Sequence, residues 1–430
     1  MSSWTWAWAQ SLYDGHELST AGILISAVLV IIYFLLNYWT VQLFAKTNTL
    51  ITVFKFVIPA LTAGGLIYAG FHASNFTELP GGFMPNGWSS VLTAIATSGI
   101  VFAFNGFQSP VNMAGESRNP HRAVPIAIIG SVLIAGIVYL LLQTAFIGAL
   151  SPDLLKNGWA NIQLNSPFAD LALALGLNWL AIVLFADAFV SPSGTGITYT
   201  ATTSRMIQGM QENGYMPKVF GTIHPFYKVP RGAMWLNLAV SYLFLFLFRG
   251  WGELVEVISV ATLISYVTGP VSVMTLRRTG ADLKRPFRLK GLSWIAPAAF
   301  LFASLIMYWA KWPLTGEVIL VMLIGFPIYF YYQAKDAWKN FGRNFKAGVW
   351  LLTYLLWMGL LSALGSDKFG GYDVLPYGWD MVIVGASSLV FYFWGVKSGW
   401  YTESMERAKE VNAEVVLRTS ATENKKGVGL

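Results

Sequence analysis

No cysteine occurs in the chain of 430 residues, which excludes disulfides, thiolate metal sites and cysteine nucleophiles together. Charge is scarce: Asp, Glu, Lys and Arg make up 11% of the residues, whereas soluble domains carry about 25%. The four histidines, His16, His72, His121 and His224, are scattered with no pair at ligand spacing, so neither a metal nor a cofactor is expected. An enzyme working at the membrane surface would need paired acids, a His-rich patch or a nucleophile beside a base. The sequence offers none of these, and no enzyme is expected. The opening stretch MSSWTWAWAQSLYDGHE lacks the basic start and apolar run of a signal peptide. No soluble domain is legible either. The only tail is 397–430, of mixed charge and without aromatics after Tyr401, which reads as cytoplasmic and partly disordered.

What the chain does have is apolar surface. Hydrophobic residues reach 55% and the mean hydropathy is +0.55, more than a soluble fold can hide. An all-α integral membrane protein is expected. Spanning helices need about 20 mostly apolar residues. Such runs fall at 21–41, 49–71, 88–113, 124–150, 174–200, 232–248, 254–276, 292–310, 317–333, 347–365 and 380–396, giving about 11 transmembrane helices. The runs are continuous and lack two-residue alternation, which argues against a barrel.

The net charge of +7 could mark a nucleic-acid surface, so its placement decides its meaning. Alternate loops, starting with 42–48 and ending with the tail, hold 23 of the 28 basic residues. The opposite side holds four: Lys156, Arg249, Lys311 and Lys368. One missed or invented helix would scramble this division. The surplus is therefore a topology signal, with the N-terminus outside, the C-terminus in the cytoplasm and no nucleic-acid partner. Trp88, Trp179, Trp235, Trp309, Trp350 and Trp379 lie near helix ends and are expected to anchor at the lipid–water interface.

The remaining basic residue is Lys55, nine positions after Lys46 and so roughly 13 Å deeper along a helix. Its amine either snorkels to the headgroups or occupies an internal cation or proton site. One acid lies comparably deep, Asp187, which is either a structural carboxyl or part of the same site. Counted back from Arg205, 18 residues away, Asp187 sits about 27 Å in, so a direct pair with Lys55 is not expected. Thr195, Gly196 and Thr198 come to the level of Lys55 instead. A third feature is the apolar stretch SGIVFAFNGFQSPVN, interrupted by Asn105-Gly106 and Pro110. Gly and Pro there make either a packing kink or an unwound segment, and unwound backbone at membrane depth is tolerated where it lines a cavity. Ser191-Pro192-Ser193-Gly194 presents the same choice.

The segment Phe102-Ala103-Phe104-Asn105-Gly106-Phe107-Gln108-Ser109, followed by Glu116-Ser117-Arg118-Asn119-Pro120-His121-Arg122-Ala123-Val124-Pro125, resembles the sixth helix and following loop of the amino acid–polyamine–organocation permeases. FLLNYWTVQLFAKTNTLITVFKFVIPAL resembles that family's fourth and fifth helices, with Asn37 in its LN pair. TSRMIQGMQENGYMPKVFGTIHPFYKVP resembles the end of its eighth helix and the next loop, around Ser204, Arg205, Gly214 and Pro217.

The resemblance implies a LeuT-like inverted-repeat transporter fold, with substrate at broken first and sixth helices. It implies that 1–396 is a permease domain: 21–71 the remnant of the first repeat, 88–276 the second, and 292–396 four accessory helices. The first helix here matches the family's fourth. The first three helices are thus expected to be missing, through truncation at the N-terminus, from what would be a fourteen-helix member. Carried over by matched position, Phe102 closes over the substrate, and the backbone of Ala103, Phe104, Asn105 and Gly106 meets its amino group. Gln108 stands where many members carry Glu, so no acidic proton carrier is expected there. Lys55 matches a lysine implicated in proton coupling, with Asp187, Thr195 and Thr198 grouped beside it.

The function so implied is proton-coupled symport of a small amino acid across the plasma membrane, with an acidic substrate following from the fourteen-helix subgroup. An amino acid exchanger and a non-transporting membrane subunit are the alternatives.

Overall fold

The computed structural model describes residues 11–15, 17–39, 41–78, 82–117, 119–156, 158–159, 162, 164, 166–283, 285, 287–323, 325–335, 337–403, 405–406 and 409, without the side chains of 41–48, 50, 116, 251 and 253. Arg118 of the loop motif, the side chain of Lys46 and the tail beyond residue 409 lie outside them.

Helices dominate, because each apolar run must satisfy its own backbone. Their starts carry local signals: Pro120, Pro152 and Pro167 each open a helix, where the missing N–H costs nothing. Ser151 caps one of them by accepting from Asp153 N. Among the described residues, nine helices are long and apolar enough to cross a membrane. Ten of the eleven expected segments appear as α1 (Thr20–Trp39), α2 (Val41–Ala69), α6 (Pro120–Ala149), α9 (Asn178–Glu212), the shorter α10 (Arg231–Leu247), α11 (Trp251–Thr279), α12 (Leu292–Trp309), the paired α13 and α14 (Leu314–Leu323, Gly325–Lys335), α15 (Phe341–Leu364) and α16 (Trp379–Ser398). The eleventh is broken into α3 (Gly87–Thr97), α4 (Ile100–Ala103) and α5 (Ser109–Asn112). Two further short helices, α7 (Pro152–Leu155) and α8 (Pro167–Ala174), lie between α6 and α9. The only described strands are the two-residue pair Tyr13–Asp14 and Glu17–Leu18.

The helices form two compact units, residues 1–91 with 103–255 and residues 92–102 with 256–430. In the first, Leu66, Ala145, Ala149, Leu171, Leu180 and Ala181 make a core between α2, α6, α8 and α9. Small residues let backbones approach. A Cβ on Gly148 would stand 2.1 Å from the Phe71 ring, which would have to shift to admit it.

The second unit is centred on aromatics. Phe300, Tyr308, Tyr354, Met358 and Tyr392 are buried together. The fully buried Asp380 accepts from Tyr308 Oη at 2.6 Å, Gly378 N at 2.8 Å and Met381 N at 2.7 Å. A carboxylate with three donors can stay buried. The placement of the tryptophans corrects one expectation. Trp88, Trp179, Trp235 and Trp379 are exposed, but Trp309 and Trp350 are buried in the aromatic core. Position near a helix end does not decide which face a ring lies on.

Large apolar side chains cover the outside, Leu24, Leu133, Leu140 and Val390 among them. In water such a surface would be unfavourable by about 25 cal/mol per Å². In lipid it is neutral. The molecule is a multi-pass membrane protein.

Candidate functional site

The break in 87–112 follows from two glycines. Gly99 and Gly106 have φ of +84° and +105°, a region that L side chains avoid. Between α4 and α5, residues 104–108 turn rather than continue the helix. Ala103 O, which a continuing helix would bond to the fourth residue onward, accepts from Tyr139 Oη of α6 at 2.6 Å. The Phe104 ring stands edge-on to the same tyrosine, with centroids 5.2 Å apart. Gly106 N donates to Gln108 Oε1 at 3.1 Å, and Ser109 N donates to Gly106 O at 2.9 Å. Pro110 lies in the first turn of α5, where its lack of an N–H does no harm. Phe102, Phe104, Asn105, Gly106 and Gln108 are half-buried, and Ala103 is exposed. Phe102 ends the stretch 92–102 of the second unit, and Ala103 onward belongs to the first.

Opposite this turn lies α9. A Cβ on Gly106 would stand 3.6 Å from Tyr199 Oη. One turn earlier on α9 is Thr195, so the two residues share a face. Thr195 Oγ1 accepts from Lys55 Nζ at 2.8 Å and itself donates to Ser191 O at 3.3 Å. The half-buried lysine thus turns its amine to a neighbouring helix instead of the headgroups. Thr198 Oγ1 donates back to Gly194 O at 2.9 Å. Asp187 precedes Thr195 by eight residues, roughly 12 Å along the axis. It makes no ion pair with Lys55 among the described residues, although the two charges act on each other. Asp187 lies one turn before Ser191 on α9, and its buried Oδ1 has no partner among the described residues.

Glycines on α9 set these distances. A Cβ on Gly194 would stand 2.4 Å from Ile51 Cγ2, and one on Gly196 2.7 Å from the Tyr33 ring. Glycine therefore lets α1 and α2 press onto α9. Tyr33 Oη then reaches Ser193 Oγ at 2.9 Å, and Asn37 Nδ2 donates to Ile197 O at 3.0 Å and Tyr33 O at 2.9 Å. Pro192 is carried inside α9 without ending it. Further along α9 a small cleft is lined by Asn37, Met113, Ala201, Ser204, Arg205, Val229 and Met234.

Sequence reasoning brought Lys55 and Thr195 to one level and the structure joins them. It separated Lys55 from Asp187, and among the described residues the two form no ion pair. It missed Tyr139, Tyr199 and Tyr33. The available signal was a phenol in mid-helix, where a polar tip needs a partner. The partner itself lies 36 residues away for Tyr139, which no local pattern shows.

A set of apolar helices, one of them opened into a non-helical turn beside polar groups of its neighbours, is the build of a secondary transporter. The comparison with known proteins gives the family: the chain belongs to the amino acid permeases, whose family model matches residues 2–341. It is 64% identical to the glutamate/serine transporter AimA of Bacillus subtilis (strain 168), over 97% of this chain and 78% of that one. It is 36% identical to the aspartate-proton symporter of the same organism, over 88% of this chain and 73% of the relative. The branched-chain amino acid permease BcaP, also of that organism, is 27% identical over 73% and 64% of the two chains. The protein is a membrane transporter of amino acids and not an enzyme.

Proposed function

We propose that the protein is a proton-coupled symporter of the plasma membrane that takes up acidic amino acids and serine, with its N-terminus outside and its C-terminus in the cytoplasm. The observation that carries this reading is the bond from Lys55 to Thr195, one turn of α9 from the Tyr199 hydroxyl that adjoins the open turn at Gly106. An amine in that position can take up and release a proton in each cycle. At the turn of 103–106 a zwitterion would exchange its own charged groups for the bonds that Ala103 O makes to Tyr139 and Gly106 N makes to Gln108. Occupation of the turn and protonation of the amine then bias the same element, α9, which is the requirement for coupling. Asp187 and Thr198 belong to this account as polar groups of that element.

The substrate class draws on the relatives named for glutamate, serine and aspartate. The orientation draws on the division of 23 basic residues against four. The test is uptake of radiolabelled glutamate, aspartate and serine into proteoliposomes with the outside made acidic. Accumulation that collapses when a protonophore removes the gradient supports symport. Uptake indifferent to the gradient but dependent on amino acid inside the vesicle would replace symport by exchange.

A further inference from the structure

Arg231, the first residue of α10, is held in an unusual way. Its guanidinium lies between two tyrosine rings, 4.1 Å from the centroid of Tyr38 near the end of α1 and 4.3 Å from that of Tyr227 in the preceding loop. Both rings are fixed from behind. Tyr38 packs on Phe34 at 5.1 Å and on Trp235 at 6.3 Å. Tyr227 lies against His224 at 5.0 Å, and its N–H donates to His224 Nδ1 at 3.3 Å. The cage satisfies the two faces of the cation and leaves its edge, where all five N–H donors lie.

Protein covers the Nε side of that edge without bonding it, and the terminal Nη1 and Nη2 are not buried with it. Among the described residues Arg231 makes no side-chain hydrogen bond and no ion pair, and its Nε is buried without a partner. Residues 40–48, which follow α1 in the sequence, contain no Asp or Glu. A partly buried cation stacked on both faces calls for an in-plane acceptor, and a two-oxygen anion matches the guanidinium fork.

The surroundings say which anion. Arg231 stands where an apolar helix begins, with the exposed indoles of Trp39 and Trp235 nearby on the same two helices and the exposed Lys228 three residues before it. Indoles mark the lipid–water interface, and basic groups at that level attract phosphate headgroups. We propose that Arg231, caged by Tyr38 and Tyr227, is a binding site for a phosphate oxyanion at the membrane surface. This site is separate from the Lys55–Thr195 pair and does not depend on the transport reading.

The thermal midpoint of the purified full chain in dodecyl maltoside tests this, with dioleoyl phosphatidylglycerol, dioleoyl phosphatidylcholine or inorganic phosphate added, chloride being the ionic-strength control. Stabilisation by phosphatidylglycerol and not phosphatidylcholine, with an apparent affinity weakened at least tenfold in Arg231→Gln, is the expected result and assigns the ligand to an anionic lipid. Equal stabilisation by inorganic phosphate, also lost in Arg231→Gln, supports the same site with the free anion as its ligand. Should the glutamine variant fail to fold, Arg231→Lys keeps the charge and loses the fork, and a weakened response is again expected. A response to neither probe, or an undiminished response in the variants, overturns the proposal.

Discussion

At Gly106 the backbone has a φ of +105°, and the account of the open turn depends on that one torsion. Alanine would strain the turn by about 1–3 kcal/mol. Its Cβ would meet only the Tyr199 hydroxyl, at an ordinary 3.6 Å, so the loss comes from strain and not collision. Gly106→Ala should therefore cut uptake severely while the protein is still inserted and folded, as size-exclusion profiles and thermal midpoints would show. Thr195 allows a finer test. Removing its hydroxyl leaves the Lys55 amine without its partner at 2.8 Å, a bond to a charged group worth about 1.5–3 kcal/mol. Thr195→Ala should lower uptake by roughly tenfold or more, and Thr195→Ser should restore most of it. Equal uptake by the alanine and serine variants would show that the hydroxyl plays no part. Residue by residue, the candidate site was legible where chemistry was out of place, as with a lysine at depth or Asn-Gly in an apolar run. Tyr139 was not, because its value lies in Ala103 O, which becomes an acceptor only once the helix has opened.

Elements were read from apolar length, and the helix map follows it closely. What length could not give was the sidedness of each helix. Asp380 looks like an end-of-helix acid in the sequence, yet it is fully buried and takes three hydrogen bonds. Trp350 looks like an interfacial anchor and is 6% exposed. Both belong to contacts between helices far apart in sequence.

The far end of α16 shows how polar groups finish such an element. Arg278 donates to the carbonyls of Val396, Lys397 and Gly399, placing a cation on the last turn where the helix dipole favours it. Nearby, Lys409 and Asp282 form an exposed ion pair at 2.6 Å. The hydrogen bond from Lys409 holds the Asp282 carboxyl below the usual carboxylate range, and the same bond raises the Lys409 amine. The contribution of Asp282 is therefore present above its ordinary value and lost as pH falls through its lowered one. That of Lys409 is present below the ordinary lysine value and lost as pH rises through its raised one. A spin label at Thr402 should accordingly become more mobile on acidification below the usual carboxylate range. Asp282→Asn should be mobile at neutral pH already. The change will be small, and high salt should imitate it.

For the molecule as a whole, the division of 23 basic residues against four and the apolar exterior make the membrane the solvent. Composition alone conveyed that much. The carrier mechanism is a statement about two parts of one unit, the open turn at 104–108 and the amine of Lys55, linked by successive turns of α9. Proton movement recorded with a pH-sensitive dye sealed inside proteoliposomes tests that link most directly, comparing the natural protein with Lys55→Ala. Adding glutamate outside should acidify the lumen of the natural protein's vesicles, and Lys55→Ala should abolish the acidification while still exchanging labelled for unlabelled glutamate. Acidification of equal extent by the alanine variant would contradict the account.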